Sequence, residues 1–464
     1  MALTKVSYSM IDGSPINVQD YGAVGDGTTD DTAAFTAAIT ACPNGGTIVL
    51  AANKTYLISS LYTNKNVRFQ GQGFWYSTNA VFGNAAWLNS ANYGGTVMKF
   101  TATSGIALKI GVDGGFASGV GIENIMILGP GTGTSIGLQI GNASNEGAVG
   151  AIVTNVIVAN FKTGYVAQDI FESAHTRLIV RGCDTGIVCE NDSNNNEFYT
   201  CEVQFSTVDA ILLDESRGNS FFGGLIQNCI NKGIRTLNSA YGNKFYNIWM
   251  ENSGAITDAI DFASGTQCVV FGGLVAKGNV KIGATNCTIQ NVYLTNSASI
   301  ETTAGGIYAR FINSKPNGTT TLNGAYPIII QDEYVTTPIL NADYMTLGLT
   351  NLGTARLNQR TSSSCVNGVA TVVAEGGLLG AGTFNSAYLT LVAGAKSTDS
   401  NTQFSDLVLW YGGGNAPTVI SSQTRGSPAA RTYTVGTSNF QTLLVNMSAD
   451  TYNVSSMNLF VQGT

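Results

Sequence analysis

Carboxylate side chains recur on neighbouring units of a repeat between residues 175 and 286, where pairs of them could cleave a glycosidic bond. Glycoside hydrolysis typically uses two carboxylates roughly 5 to 9.5 Å apart, one of them protonated. If the units stack as parallel strands roughly 4.8 Å apart, carboxylates on adjacent units suit retention, and those two units apart suit inversion. Stacked carboxylates also raise one another's pKa, as a general acid requires.

The first of two outward-facing sets combines acids, amides, a cation and a tryptophan. Apolar alternation turns Trp249 and Glu251 outward, and the repeat spacing aligns residues of earlier units with them. The set comprises Arg181, Glu202, Gln204, Gln227, Trp249 and Glu251. This makeup is typical of a sugar-binding groove, with Glu202 and Glu251 as a catalytic pair at roughly 10 Å that suits inversion. We favour this set as the catalytic groove.

The second set follows the other half of each unit, where Ile187, Ile211, Ile234 and Ile260 point inward. Its outward polar members are Glu190, Asp214, Arg235 and Asp261. Asp214 and Asp261 are further candidate catalytic residues, and Arg235 is a candidate substrate ligand. This set also has an apolar edge, formed by Val166, Val188, Leu212 and Leu237. The edge indicates a subunit interface, and acids of both sets could meet across that interface. For each acid the alternative is a solvated carboxylate without a role.

The chain has a single histidine, His175, which excludes mechanisms that need a pair of histidines and any histidine-rich metal site. His175 lies near Arg177 and Arg181, so it is a candidate substrate-binding residue. A uronate lyase could use it as the base, with an arginine neutralising the substrate carboxylate. The alternative is a turn histidine bonded to backbone. No DxDxDG loop occurs, so we predict no metal and no cofactor.

These residues must be positioned by a solenoid of strands. Asn196, Asn219 and Asn243 open successive units, 23 and 24 residues apart, and each unit alternates apolar and polar residues between Gly, Asn and Ser turns. Alternation predicts strands with one buried face. Units of this length made only of strands and turns stack to share a core. The sequence therefore predicts an all-β fold built on a parallel β-helix.

Composition limits the function classes. The 464 residues carry a net charge of −7, with only 11% charged residues and 56 glycines. An acidic chain argues against phosphate-backbone binding, so we expect no nucleic-acid partner. The eight cysteines form no CxxC pair, which predicts structural thiols such as Cys189 and Cys201. No signal peptide and no 18-residue apolar run occurs, which predicts no membrane insertion.

The regions outside the repeat predict three further parts. Residues 1–18 are short and polar, and they indicate either a flexible terminus or an attachment segment. Asp30 or Asp31 would cap a helix over Thr32–Ala41. This helix could cover the open first coil of the β-helix, which we predict over residues 19–315. Residues 316–464 lack the repeat, and their longer alternating runs from 361 onward predict a C-terminal β-sandwich, jelly-roll-like.

The string DYGAVGDGTTDDTAAFTAAI, followed by GGTIVLAANKTYLISSL, resembles the opening of the pectate-lyase-like superfamily of right-handed parallel β-helices. The preceding TKVSYSMIDGSPINV resembles the junction in bacteriophage tailspike depolymerases. The resemblance covers roughly residues 5 to 310. It implies a homotrimer in the virion, held to other phage tail proteins through the N-terminus. It also implies binding and cleavage of bacterial capsule or O-antigen polysaccharide, and C-terminal modules that trimerise and sometimes bind sugar.

Three functions therefore remain open from the sequence. The first is hydrolysis of a surface polysaccharide by a carboxylate pair. The second is a polysaccharide lyase that eliminates across a uronate. The third is a receptor-binding tail fibre or adhesin without turnover.

Overall fold

The computed structural model describes most of the N-terminal two thirds of the chain and the strands of the remainder. The described residues are 13–77, 89–111, 117–142, 147–251, 256–295, 298–314, 320–323, 328–330, 345–348, 354–365, 371–378, 387–411, 416–436 and 440–461. The chain divides into two compact units, 1–325 with 330–332, and 326–329 with 333–464. Most of the predicted attachment segment lies outside the described residues.

The first unit is a stack of parallel strands that pair with the equivalent strand of the next coil. Phe198, for example, pairs with Phe221, and Phe221 pairs with Phe245. One long sheet contains Ile16–Asn17, Asp26–Asp30, Thr47–Val49, Lys54–Ile58, Arg68–Gln70, Phe74–Tyr76, Tyr93–Phe100, Gly121–Glu123, Met126–Leu128, Ile152–Ala159, Ala174–Arg181, Glu197–Tyr199, Glu202–Gln204, Ser220–Phe222, Leu225–Gln227, Lys244–Tyr246, Trp249–Glu251, Val269–Phe271, Leu274–Val275, Thr288–Gln290, Tyr293–Leu294 and Arg310–Ile312. The predicted parallel β-helix is confirmed.

A second parallel sheet forms another side of the β-helix. Its strands are Leu61–Thr63, Ile106–Ile110, Ile136–Gly141, Thr163–Gln168, Thr185–Glu190, Asp209–Asp214, Lys232–Leu237, Asp258–Phe262, Asn279–Ile282, Ser299–Thr302 and Thr320–Leu322. A small third sheet contains Ala117–Ser118, Ala148–Val149 and Ile170–Phe171. One hairpin departs from the parallel pattern, because Phe74–Tyr76 pairs antiparallel with Tyr93–Phe100. The strand Ile328–Ile330 lies where the two units meet in sequence.

Buried asparagines explain the repeat spacing that the sequence shows. Asn196, Asn219 and Asn243 have no solvent exposure. The Nδ2 of Asn196 donates to Oδ1 of Asn219 at 2.9 Å, and Asn219 donates in the same way to Asn243 at 3.1 Å. Each Oδ1 also accepts a backbone N–H from the preceding coil. The ladder satisfies polar groups that burial would otherwise leave without partners.

The helix occupies Thr32–Ala41, as predicted. Its N-cap is Asp31, but that carboxylate accepts from the N–H groups of Val24 and Gly25 rather than from the helix. Asp30 supplies the bond to the helix, accepting from the N–H of Thr32 at 2.9 Å. Asp30 therefore caps the helix, and Asp31 anchors the glycine turn that precedes it. Short 3-10 helices lie at Val18–Tyr21 and Ser90–Asn92.

The second unit is a sandwich of two antiparallel sheets. The larger sheet has the order Met345–Gly348, Thr354–Cys365, Tyr452–Val461, Ala387–Lys396, Asp399–Tyr411 and Thr418–Arg425. The smaller has the order Thr371–Leu378, Phe440–Met447 and Arg431–Gly436. Side chains of both sheets share one buried core that includes Phe404, Trp410, Leu443 and Val445. The predicted C-terminal β-sandwich is therefore present.

Two sequence predictions about chain chemistry can be compared with this fold. Cys189 and Cys201 are buried free thiols, as predicted. Among the described residues, no helix is long and apolar enough to cross a membrane.

Candidate functional site

The first candidate set lies on the outer face of the long sheet, but its two acids are not aligned. Glu202 pairs with Leu225, which pairs with Trp249, whereas Glu251 aligns with Gln227. Glu202 and Glu251 are thus two coils apart and also offset by two residues along the strand. The Cα separation is roughly 12 Å from strand spacing and rise. This exceeds the roughly 10 Å that was predicted from the coil spacing alone.

Arg181 does not face an open groove, contrary to the prediction. Its side chain is 5% exposed. The guanidinium lies 4.7 Å from the ring centroid of Tyr76, and its Nη2 is 3.4 Å from Oε2 of Glu202. The antiparallel strand Phe74–Tyr76 supplies this cover. Arg181 is therefore placed to hold Glu202 rather than to meet a substrate directly.

The remaining members of the first set differ in accessibility. Trp249 is 52% exposed, and Glu251 is exposed beside it on the same strand. Gln204 is buried, contrary to its prediction as a substrate ligand, because it packs between Arg181 and Gln227 in the same column. Its Nε2 donates to Oε1 of Gln227 at 3.2 Å.

His175 is inside the β-helix, so its prediction as a substrate-binding residue is wrong. Its ring stacks on Phe198 with centroids 4.1 Å apart. Nε2 lies 2.6 Å from the hydroxyl of Tyr165, and Nδ1 lies 3.3 Å from the carbonyl of Glu197. Because that carbonyl only accepts, Nδ1 carries the proton and Nε2 accepts from Tyr165. Burial lowers the pKa of His175 to about 3, so the imidazole is neutral and cannot reach a glycan.

A column of aromatic rings on the outer face was missed from the sequence. Tyr199, Phe222 and Tyr246 stack with centroids 5.1 and 5.0 Å apart, and Phe271 follows in register. The signal was available, because EFY, SFF, KFY and VVF occupy the same place in successive units. The rings give the outer face of these strands an apolar strip.

The second candidate set brings two carboxylates to adjacent coils. Cys189 pairs with Leu213, so the following residues, Glu190 and Asp214, face one another across neighbouring strands. Strand spacing puts their Cα atoms roughly 5 Å apart. Both residues are partly buried, and neither forms an ion pair within the described residues. Side chains of this length on adjacent strands can bring their carboxyl groups to the roughly 5 to 5.5 Å separation of a retaining pair.

A chain of amides orients Glu190. Gln139 donates through Nε2 to Oε1 of Gln168 at 2.8 Å, and Gln168 donates to Oε1 of Glu190 at 2.8 Å. Asn238 donates to Asp214. Each carboxylate therefore receives an uncharged donor, which fixes its direction without neutralising it.

The pKa of Glu190 is raised, which is what a general acid needs. Burial is the larger cause, because the charged form loses water, and the neighbouring Asp214 carboxylate is the second. Glu190 therefore holds a proton more readily than a glutamate in water does.

Asp261 lies in an enclosed ionic cluster, contrary to its prediction as an outward catalytic acid. It is 5% exposed and lies 2.8 Å from Nζ of Lys232. Lys232 also pairs with Asp258, and Arg235 lies 3.7 Å from Oδ2 of Asp209. Burial raises the pKa of Asp209. Such a network holds the coils together, because each buried charge has a partner. Arg235 is 31% exposed and faces both this cluster and solvent.

Within the described part of the chain, no group of three or more His, Cys, Asp or Glu residues lies where it could hold a metal ion. The candidate site brings together the carboxylate pair Glu190 and Asp214 and the amides that donate to them, Gln168 and Asn238.

Residues 15–209 match the family model described as rhamnogalacturonase A/epimerase, pectate lyase-like. The match contains Glu190 and Glu202 and ends before Asp214. The resemblance that the opening motif shows is thus confirmed for this part of the β-helix. No curated protein sequence matches the chain.

Solved structures similar to the chain share little sequence with it. The Dettilon tailspike protein is 10% identical over 96% of this chain and 94% of that chain, with a TM-score of 0.49. ORF18 of Geobacillus virus E2 is 14% identical over 92% and 78%, with a TM-score of 0.44. The tailspike protein of Acinetobacter phage vB_ApiP_P1 is 13% identical over 97% and 87%, with a TM-score of 0.40.

Proposed function

We propose that the protein binds and hydrolyses a polysaccharide, with Glu190 as the general acid and Asp214 as the nucleophile. The observation that carries this proposal is the pair itself. Two partly buried carboxylates face one another on adjacent strands, and the pKa of one is raised. The pectate-lyase-like match supports a saccharide as substrate.

The separation of the pair sets the expected mechanism. Protonated Glu190 gives its proton to the leaving glycosidic oxygen while the Asp214 carboxylate attacks the anomeric carbon, which breaks the glycosidic bond and forms a glycosyl ester. Glu190, now ionised, then takes a proton from water, and the resulting hydroxide displaces Asp214. The product keeps the anomeric configuration of the substrate.

Apolar side chains beside the pair suit a sugar ring. Leu212 occupies the neighbouring outward column of the same strands, and Leu237 pairs with Asp214 in the next coil; both are partly exposed. Sugar rings carry apolar C–H faces, so such a floor can seat a ring while the carboxylates reach its anomeric carbon. The apolar edge, which indicated a subunit interface from the sequence, thus also fits a substrate subsite.

The biological setting is proposed from the opening motif. It supports a phage tailspike, carried in the virion as a homotrimer and joined to tail proteins through residues 1–18. Its substrate would be a capsular or O-antigen polysaccharide on the host surface. The lyase alternative loses its proposed base, because His175 is enclosed in the core.

The test compares carboxylate variants on a polysaccharide that the wild type shortens. Glu190→Gln and Asp214→Asn keep the size of the side chains, and loss of an acid or nucleophile should lower kcat by roughly 100-fold or more. Glu251→Gln, an exposed acid of the first set, is the matched control and should keep near-full activity. Circular dichroism confirms that each variant is folded.

Two results would overturn the assignment. If Glu190→Gln and Asp214→Asn retain activity while Glu202→Gln and Glu251→Gln lose it, the first set is catalytic. If the wild type binds polysaccharides, including that of its host, without shortening any of them, the protein is an adhesin.

A further inference from the structure

The C-terminal sandwich has a shallow cavity of about 440 Å³ on the outer face of its larger sheet. Ala393 and Ala395 form part of its floor on a central strand. Their short side chains leave room between longer residues of the flanking strands. The volume lies within the range of roughly 300 to 1,000 Å³ that is typical of small-molecule sites.

Strand register brings polar side chains around this floor. Ala395 pairs with Gln403 on one side and with Asn453 on the other. Gln403 in turn pairs with Arg425, and Ser405 pairs with Gln423. Because paired residues point to the same face of a sheet, these amides and the guanidinium surround the alanines.

The charge of the lining has one sign. Among the described residues that line the cavity, Arg425 is the only charged one. The second unit as a whole is nearly neutral, with six acidic and five basic residues. Arg425 is exposed and forms no ion pair with the described residues. An anionic group in the cavity would therefore meet a cation that has no competing carboxylate.

The scaffold beneath the cavity is well packed. Phe404 points inward from the strand between Gln403 and Ser405, and it is 3% exposed. A Cβ on Gly394 would approach the Phe404 ring to 2.4 Å, so the glycine lets the ring pack under the floor. Arg431 covers the other side of that ring at 4.1 Å and pairs with buried Asp406. The cavity is thus preformed rather than dependent on a ligand.

We propose that this cavity binds a sugar that carries a carboxylate, such as a uronic acid residue of a polysaccharide. Amide side chains both donate and accept hydrogen bonds, which matches the mixed character of sugar hydroxyls. The planar guanidinium of Arg425 can donate two parallel bonds to a carboxylate. The site lies wholly in the second unit, so it does not depend on catalysis by the β-helix.

The experiment measures binding of trigalacturonate to the full chain by saturation-transfer NMR and by calorimetric titration. Maltotriose, a neutral trisaccharide, is measured in the same way for comparison. The background is Glu190→Gln, so that cleavage does not obscure binding. Trigalacturonate should bind in preference to maltotriose, and Arg425→Gln should weaken it by roughly 10- to 100-fold. Arg425→Lys should also weaken it, because lysine keeps the charge but loses the planar fork.

A charge-matched control separates the site from general electrostatics. Lys396→Gln removes a cation from the same unit, but Lys396 pairs with Asp450 and does not line the cavity. The Lys396→Gln variant should bind trigalacturonate with unchanged affinity. Equal binding of the two trisaccharides, equal loss in both charge variants, or no binding at all would each overturn the proposal.

Discussion

His175 makes the stability of the β-helix depend on pH in a way that the structure quantifies. The imidazole has no solvent exposure, and burial lowers its pKa from 6.5 to about 3. Above pH 6.5 both folded and unfolded chains hold it neutral, so it has no effect. As the pH falls below 6.5, the unfolded chain binds a proton that the folded chain excludes, and stability is lost progressively until about pH 3.

The size of this loss follows from the difference between the two pKa values. About 3.5 pH units correspond to about 5 kcal/mol when the titration is complete. At pH 4 the folded chain still excludes the proton, and the loss relative to pH 7 is about 3 kcal/mol. A loss of this size is a large fraction of the roughly 5 to 15 kcal/mol that stabilises a typical domain.

The single histidine allows a direct assay. Protein labelled with ¹³C at the histidine Cε1 gives one imidazole signal, which can be followed from pH 8 to pH 4. We expect no titration in the folded chain and a midpoint near pH 6.5 in urea. A folded-state midpoint near 6.5 would refute the enclosed, neutral imidazole.

A variant checks the energetic consequence. His175→Phe keeps an aromatic ring on Phe198 but removes the titrating group. Urea unfolding at pH 7 and pH 4 should show a pH-dependent loss that is about 3 kcal/mol smaller in the variant than in the wild type. Equal losses in both proteins would mean that other groups account for the acid sensitivity.

Two further predictions concern packing and buried charge. Phe221→Ala removes a ring from the internal stack and should destabilise the β-helix by about 3 to 5 kcal/mol. Phe222→Ala removes a ring from the outer column and should destabilise it clearly less. Equal shifts in Tm would contradict the assignment of inner and outer faces. Asp406→Ala leaves the buried guanidinium of Arg431 without its carboxylate and should destabilise the sandwich by about 3 to 5 kcal/mol. Asp450→Asn, which breaks a partly exposed pair with Lys396, should cost under about 1 kcal/mol in the same thermal unfolding experiment.

Features that repeat along the chain were predictable from the sequence. The asparagine spacing follows from one amide per coil bonding to the next, so the period shows in the letters themselves. The helix over Thr32–Ala41 was found because its caps and apolar face are local. The C-terminal strands were found because alternation marks a half-buried strand.

Features that depend on distant contacts were not predictable. Arg181 is covered by Tyr76, a residue 105 positions earlier that reaches it through a hairpin. His175 was a candidate substrate-binding residue because it lies near two arginines in sequence, but its position is the inward one that Phe198 and Phe221 occupy in the next coils. The offset between Glu202 and Glu251 depends on strand register, which a count of units does not resolve.

The structure favours the second carboxylate set over the first as the catalytic site, and the reason is physical. From the sequence, exposed Trp249 favoured the first set, and the apolar edge weakened the second. In the fold, Glu190 is partly buried, and this burial raises its pKa. Burial of an acid beside a second carboxylate is a property that prepares it for catalysis.

The most direct test of the account is product analysis after incubating the protein with bacterial capsular and O-antigen polysaccharides. Polymer size, new reducing ends and the ultraviolet absorbance of unsaturated uronate are followed together. The account predicts shorter polymers with new reducing ends, no such absorbance, and a loss of turnover of roughly 100-fold or more in Glu190→Gln. Shortening accompanied by unsaturated uronate, or undiminished by Glu190→Gln, would contradict hydrolysis by the Glu190 and Asp214 pair.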